Sequence, residues 1–246
     1  YLYNKYTITV LHATLTNYRL SSARDYLWCV GLTLMLFFIF RVVTGVVLVT
    51  TPMNGIANIL ATMFLSSQGR IAPGMHAIGS SAVMFLIILH MLRAFLHFSS
   101  RFLAPVYSLG ILIATLAVAA CFLGYSTTYG AMAHWALRVV QGLMRCLPFL
   151  DMWFYGNYIV TYNMLAKCLV FHFLVAVITV VVVMYHIIQL HSSGSSNGVA
   201  SSNGRYIAGY NARLVDLYWH VIVKDLVLAA FFWAVFGAIL MALMIV

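Results

Sequence analysis

Four histidines stand in two matched pairs, His76 with His90 and His172 with His186, each pair fourteen residues apart. The stretch between the second pair, "HFLVAVITVVVVMYH", is almost wholly apolar. An ionisable group inside a long apolar run is costly, and where one persists it marks a functional site. Imidazole has the chemistry for such a place, since one ring nitrogen can bind a metal while the other donates a hydrogen bond. On a helix, fourteen positions at ~100° each bring a side chain back to within ~40° of its starting face, ~21 Å along the axis. Each pair therefore points one way at two depths. Two such helices running in the same direction, set face to face, present two couples, His76 with His172 and His90 with His186. Each couple suits axial ligation of one haem iron from both sides.

Glycines repeat the interval on the intervening apolar runs, as Gly31 with Gly45 and Gly110 with Gly124. Without a Cβ, glycine allows the closest approach of a flat porphyrin edge. Taken singly, an apolar-helix glycine is more often a packing residue, and a buried histidine more often a hydrogen-bonded core group. Two histidine pairs and two glycine pairs with one spacing, on alternating runs, favour the cofactor reading over both.

The elements that must position these residues follow from composition. Of 246 residues, 64% are hydrophobic, 7% are charged and none is Glu. Such a chain cannot clothe itself in polar surface, so its solvent is largely lipid. Five runs are long enough to cross hydrocarbon, at about 26–50, 74–98, 106–125, 166–190 and 222–246. Helices satisfy their own backbone in lipid. The expectation is an all-α, integral membrane helix bundle of about five spans, with two haems between helices 2 and 4. Its organisation reads as an N-terminal segment 1–25, a four-helix core 26–190, a polar loop 191–221 and a fifth helix 222–246.

Basic residues set the orientation. Lys5, Arg19, Arg24, Arg93, Arg101, Arg205, Arg213 and Lys224 share one side, against Arg70, Arg138, Arg145 and Lys167 on the other. This bias puts the amino terminus on the negative side, the matrix or cytoplasm. The net charge of +9 then reflects a basic membrane face meeting membrane lipids and calls for no nucleic acid. Arg41 falls inside the first span and needs a partner there. Cys29, Cys121, Cys146 and Cys168 form no Cys-x-x-Cys-His haem-attachment pattern. They read as small apolar core residues, and any haem as non-covalently held. "HSSGSSNGVASSNG" reads as a flexible polar connector, and "MRCLPFLDMWFYGNYIVTYN" as an interfacial surface helix or loop.

Three further stretches, "FLGYSTTYGAMAHWALRVV", "LVFHFLVAVITVVVVMYHIIQLHSSGSSNG" and "VKDLV", resemble cytochrome b, the membrane core of the quinol–cytochrome c oxidoreductase (cytochrome bc1, complex III). The equal histidine spacing favours the mitochondrial or bacterial branch. The resemblance implies two b-type haems, a low-potential one on His76 and His172 and a high-potential one on His90 and His186. It implies quinol oxidation on the positive side and quinone reduction on the negative side, with electrons carried across the membrane and protons translocated (a Q cycle). His191, Ser195, Lys224 and Asp225 match the negative-side quinone pocket, where His and Asp can relay protons. Tyr125, Met132 and Trp135 match the positive-side quinol cavity. Arg93 and Lys167 match basic residues that pair with haem propionates, and Arg41 is expected near the haem system. The implied partners are the Rieske iron–sulfur protein, cytochrome c1 and other complex III subunits in a homodimeric complex. The implied place is the mitochondrial inner membrane or a bacterial plasma membrane.

The sequence also departs from the family. Pro73 stands where the family has an arginine, and "STTYG" replaces its Pro-Trp-Gly turn. The Pro-Glu-Trp-Tyr loop and the last three helices have no counterpart in these residues, so the remainder is expected either as a separate C-terminal cytochrome b chain or as a part not included in this sequence. Three other classes compete. A dihaem anchor of another quinone-linked dehydrogenase or hydrogenase would not share "GYSTTYGAMAHW" and "VKDLV". A proton or metal transporter predicts mid-membrane acids or broken helices, which are lacking. A structural subunit without turnover would keep the shape alone.

Overall fold

The computed structural model describes residues 19–21, 26–50, 67–96, 99–128, 130–156, 161–193, 214–216 and 222–245. Strand β1 (Arg19–Ser21) is followed by a 3-10 turn (Tyr26–Cys29) that leads into α1 (Val30–Thr50). Then come α2 (Ser67–Leu96), α3 (Ser99–Phe102), α4 (Ala104–Ser126), α5 (Ala131–Met144) and α6 (Pro148–Phe154). The chain continues through α7 (Tyr162–Ser193), strand β2 (Leu214–Asp216) and α8 (Ile222–Ile245). Five stretches are long and apolar enough to cross a membrane, Tyr26–Thr50, Ile71–Leu96, Ala104–Ser126, Asn163–Ser193 and Ile222–Leu243. The fold is all-α, and its spans match the five expected runs within a few residues. Only 11–22% of each span's most apolar window is buried within the chain. The remaining apolar surface turns outward, which hydrocarbon tolerates and water does not.

Three features differ from expectation. Helix α2 begins at Ser67 and runs through Pro73, although proline lacks the N–H for a helical bond and argues for a later start. Helix α5 is a separate amphipathic element, with Ala133, Leu137 and Gln141 buried on one face and Met132, Trp135 and Val139 exposed on the other. Strands β1 and β2 pair antiparallel, Leu20 opposite Val215. Their partners lie far apart in sequence, so no local pattern announces them. Cysteine burial also divides. Cys29 and Cys168 are core residues as expected, but Cys146 is exposed, since it sits in the turn after α5.

Two compact units divide the chain, one of Tyr1–Gly110 with His186–Val246 and the other of Ile111–Tyr185. In the first, α8 packs on α1 and α2. Phe37, 1% exposed, stacks on Trp233 at 4.4 Å and meets Phe236 edge-on at 5.5 Å. Such aromatic contacts supply directional packing where lipid offers no hydrophobic drive. In the second, Leu137, Tyr155, Met164 and Cys168 form the buried cluster. Its polar tie is the Tyr155 hydroxyl, which donates to the Leu137 carbonyl at 2.8 Å. Burial, then Cys168 and Asp151, push the Tyr155 phenol up to about 12.

Candidate functional site

Each of the four spacing-matched histidines lies against one of the four spacing-matched glycines. A Cβ on Gly31 would sit 3.3 Å from His90 Cε1, and one on Gly45 would sit 3.0 Å from His76 Cε1. One on Gly110 would sit 3.6 Å from His186 Cε1, and one on Gly124 only 2.8 Å from His172 Cε1. The glycines thus make room for the imidazoles themselves, rather than only for a porphyrin edge. Each contact joins antiparallel helices within one compact unit, α1 to α2 or α4 to α7.

Hydrogen bonding then fixes which ring nitrogen is available. Thr44 Oγ1 donates its one hydrogen to the Phe40 and Arg41 carbonyls at 3.0 and 3.1 Å. With that hydrogen on a backbone carbonyl, the hydroxyl accepts at its 3.0 Å contact with His76 Nδ1, the tautomer that leaves Nε2 basic. His172 Nδ1 lies 2.7 Å from the Ala120 carbonyl, which can only accept. Both rings are held in the tautomer with a basic Nε2, the nitrogen a metal takes, and oriented by an outer-shell bond at the other nitrogen. Ala120 precedes Gly124 by one helical turn, so the missing Cβ at Gly124 also opens the path to that carbonyl.

The second couple is arranged differently. His90 Nδ1 and His186 Nδ1 are buried and make no hydrogen bond among the described residues. The His186 ring lies beside the Val106 backbone, one turn before Gly110. That repeats the placement of His172 by Ala120, but Nδ1 falls short of a hydrogen bond. His90 stands within charge reach of both His186 and Arg93. A buried imidazole nitrogen without a partner forfeits ~1–3 kcal/mol, so these two rings lack the outer bond that orients His76 and His172. Among the described residues, no cluster of three or more His, Cys, Asp or Glu could hold a metal ion. A bis-imidazole site needs only two, and the neutral nitrogen donors present fit haem iron.

Other expected residues fall as follows. Arg93, one turn beyond His90, lies over the Trp28 ring at 5.2 Å. Lys167 Nζ donates to the Trp153 carbonyl and lies 5.3 Å above the Trp153 ring. His191 is exposed in the last turn of α7, and Lys224 and Asp225 are half-buried in the first turn of α8. Tyr125, Met132 and Trp135 are 49%, 71% and 67% exposed, so each presents an open face. Ser195 lies outside the described residues, as do most of segments 1–25 and 191–221. Sequence reasoning missed Thr44, whose signal was a hydroxyl residue immediately before a spacing-matched glycine.

Five apolar helices long enough to span a membrane, four of which set half-buried histidines against glycines, define the class, a multi-pass helical membrane protein. The family described as Cytochrome b/b6/petB matches residues 15–194, so the chain belongs to the cytochrome b family. It is 32% identical to cytochrome b of Plasmodium vivax over 201 residues, covering 79% of this chain and 52% of that protein. Against cytochrome b of Saccharomyces cerevisiae the identity is 29%, covering 84% of this chain and 54% of that one. The chain therefore spans about half the length of the curated relatives it matches. Its fold matches a chain of a solved structure described as a hyperthermophilic respiratory Complex III, with a TM-score of 0.80 and 17% identity. That match covers 95% of this chain and 64% of the other.

Proposed function

We propose that this chain is the dihaem subunit of a quinol–cytochrome c oxidoreductase. It would carry electrons from quinol oxidation on the positive side of the membrane to quinone reduction on the negative side. His76 with His172, and His90 with His186, hold two non-covalent b-type haems, which supply one-electron chemistry when bound. What carries the reading is the pairing of four imidazoles with four glycines, with Nδ1 of His76 and of His172 engaged so that Nε2 is left basic. Arg93 and Lys167 supply positive charge toward carboxylate groups. At the negative-side quinone, His191 and Asp225 act as proton donors and Lys224 holds charge, with Ser195 as an oxygen-bonding group. Tyr125 and Met132 line the quinol side. The partners are a Rieske iron–sulfur protein, cytochrome c1 and the other complex III subunits, in a homodimer. The complex sits in a mitochondrial inner membrane or a bacterial plasma membrane.

A reduced-minus-oxidised spectrum with potentiometric titration of the purified complex tests this. Two b-type centres with distinct midpoints are expected, together with quinol-dependent reduction of cytochrome c. A preparation with no b-type absorbance refutes the proposal.

A further inference from the structure

Arg41 is a cation in the middle of α1, within the span Tyr26–Thr50. A guanidinium at that depth persists only where something makes use of it. Its Nη1 donates to the backbone carbonyl of His76, a carbonyl that also accepts from Ser80 Oγ at 3.2 Å. Its stem crosses α2 at Gly79, where an added Cβ would come within 3.2 Å of Arg41 Cδ. Gly79 is itself buried, so the crossing depends on that residue having no side chain. Three and four residues further on, Thr44 holds His76 Nδ1 and Gly45 seats the same ring. One stripe of α1, at positions i, i+3 and i+4, thus serves a single histidine, with its charged member at the backbone of that histidine. One turn before His76, α2 carries the neutral Pro73.

We propose that Arg41 sets the reduction potential of the haem held by His76, acting as a positioning residue whose fixed positive charge favours the reduced centre. This rests on the dihaem reading above. One-electron reduction of a ferric centre removes one positive charge from it, so a neighbouring cation in a low-dielectric site stabilises the product over the starting state. Ligand identity and surrounding charge are the levers a protein holds over such a potential. Arg41 is anchored at the ligand's own main chain, so its charge cannot drift away.

The experiment is anaerobic potentiometric titration of the purified complex, following the b-type absorbance of the parent, Arg41→Gln and Arg41→Lys. In Arg41→Gln, one of the two midpoints should fall by at least a tenfold change in reduction constant, 59 mV for a one-electron couple. The other midpoint should stay, and Arg41→Lys should recover more than half of the shift. Unchanged midpoints in Arg41→Gln overturn the proposal, as do equal shifts of both centres. If Arg41→Gln loses a centre outright, Arg41→Lys decides. A retained centre near the parental midpoint supports the charge role, and its loss there marks Arg41 as a structural strut and overturns it. A parent complex without two b-type centres would instead remove the dihaem reading itself.

Discussion

Placing a methyl group at each histidine-facing glycine should damage haem binding in a graded order set by clearance. Non-bonded carbons rest at ~3.5–4.0 Å. A Cβ at Gly124 meets His172 Cε1 at 2.8 Å and Nδ1 at 3.0 Å, so the ring must retreat by roughly 0.7 Å or more on that contact distance. It cannot swing freely, because Nδ1 is tied to the Ala120 carbonyl at 2.7 Å. Overpacking costs ~1–3 kcal/mol, and losing that hydrogen bond adds ~1 kcal/mol. A total of roughly 2–4 kcal/mol corresponds to a haem affinity lower by about 30- to 700-fold.

At Gly45 the clash is 3.0 Å and at Gly31 it is 3.3 Å, while at Gly110 the 3.6 Å approach is an ordinary contact. The expected order of damage is Gly124→Ala, Gly45→Ala, Gly31→Ala, and then Gly110→Ala near parental. Haem per complex, measured after extraction across a range of haem supply, reads this directly. If Gly110→Ala lost as much haem as Gly124→Ala, clearance would not be the controlling quantity and the reasoning would fail.

Three further outcomes follow from the geometry. Replacing Thr44 by Val removes the acceptor from His76 Nδ1 while Thr44→Ser keeps it. The Val variant should move one midpoint upward, since the lost bond makes the ligand less basic, and titration of both variants shows whether Ser stays parental. His186→Leu and His90→Leu should each abolish the same b-type signal, with His76→Leu and His172→Leu abolishing the other. Loss of different centres by His186→Leu and His90→Leu would break the couple assignment. Tyr155→Phe should cost ~1 kcal/mol below pH about 10. The folded phenol titrates near 12, above its unfolded value of ~10. The tyrosine's contribution is thus fully present below about 10 and fades as pH climbs from there through about 12. Melting curves of parent and variant should converge over that window.

How much of this was legible beforehand depended on whether the governing physics was local. The spans were legible because lipid demands unbroken apolar runs, and the five found in the structure start and end within a few residues of those read from sequence. The shared interval of the glycines and histidines was legible because four helical turns return to one face, while the direct contact of each glycine with an imidazole was not. Helix α5 was less so. Its buried set of Ala133, Leu137 and Gln141 includes a small residue and an amide, so the apolar contrast along the stretch is weak. The role of Thr44 could not be read from type alone, because a membrane-helix threonine ordinarily bonds its own backbone. Thr44 does so as well, and only the antiparallel neighbour reveals its second duty.

That neighbour relation explains why one interval governs eight residues. Two antiparallel helices in contact keep register when a step up one is matched by an equal step down the other. Moving fourteen residues along α1, from Gly31 to Gly45, and fourteen back along α2, from His90 to His76, carries one glycine–imidazole contact into the next. The same step carries Gly110 and His186 into Gly124 and His172 across α4 and α7. A spacing of thirteen would leave the second residue ~140° from the first and one of fifteen ~60°, against ~40° for fourteen, so fourteen keeps both contacts nearest one face. The interval is therefore a joint property of each helix pair. A one-residue insertion between Gly31 and Gly45 should disable the site at one depth while sparing the other, read as the loss of one b-type signal in the reduced-minus-oxidised spectrum. Length within these four segments is thus more constrained than side-chain type, which is why so apolar and interchangeable a filling can separate groups held in such fixed places.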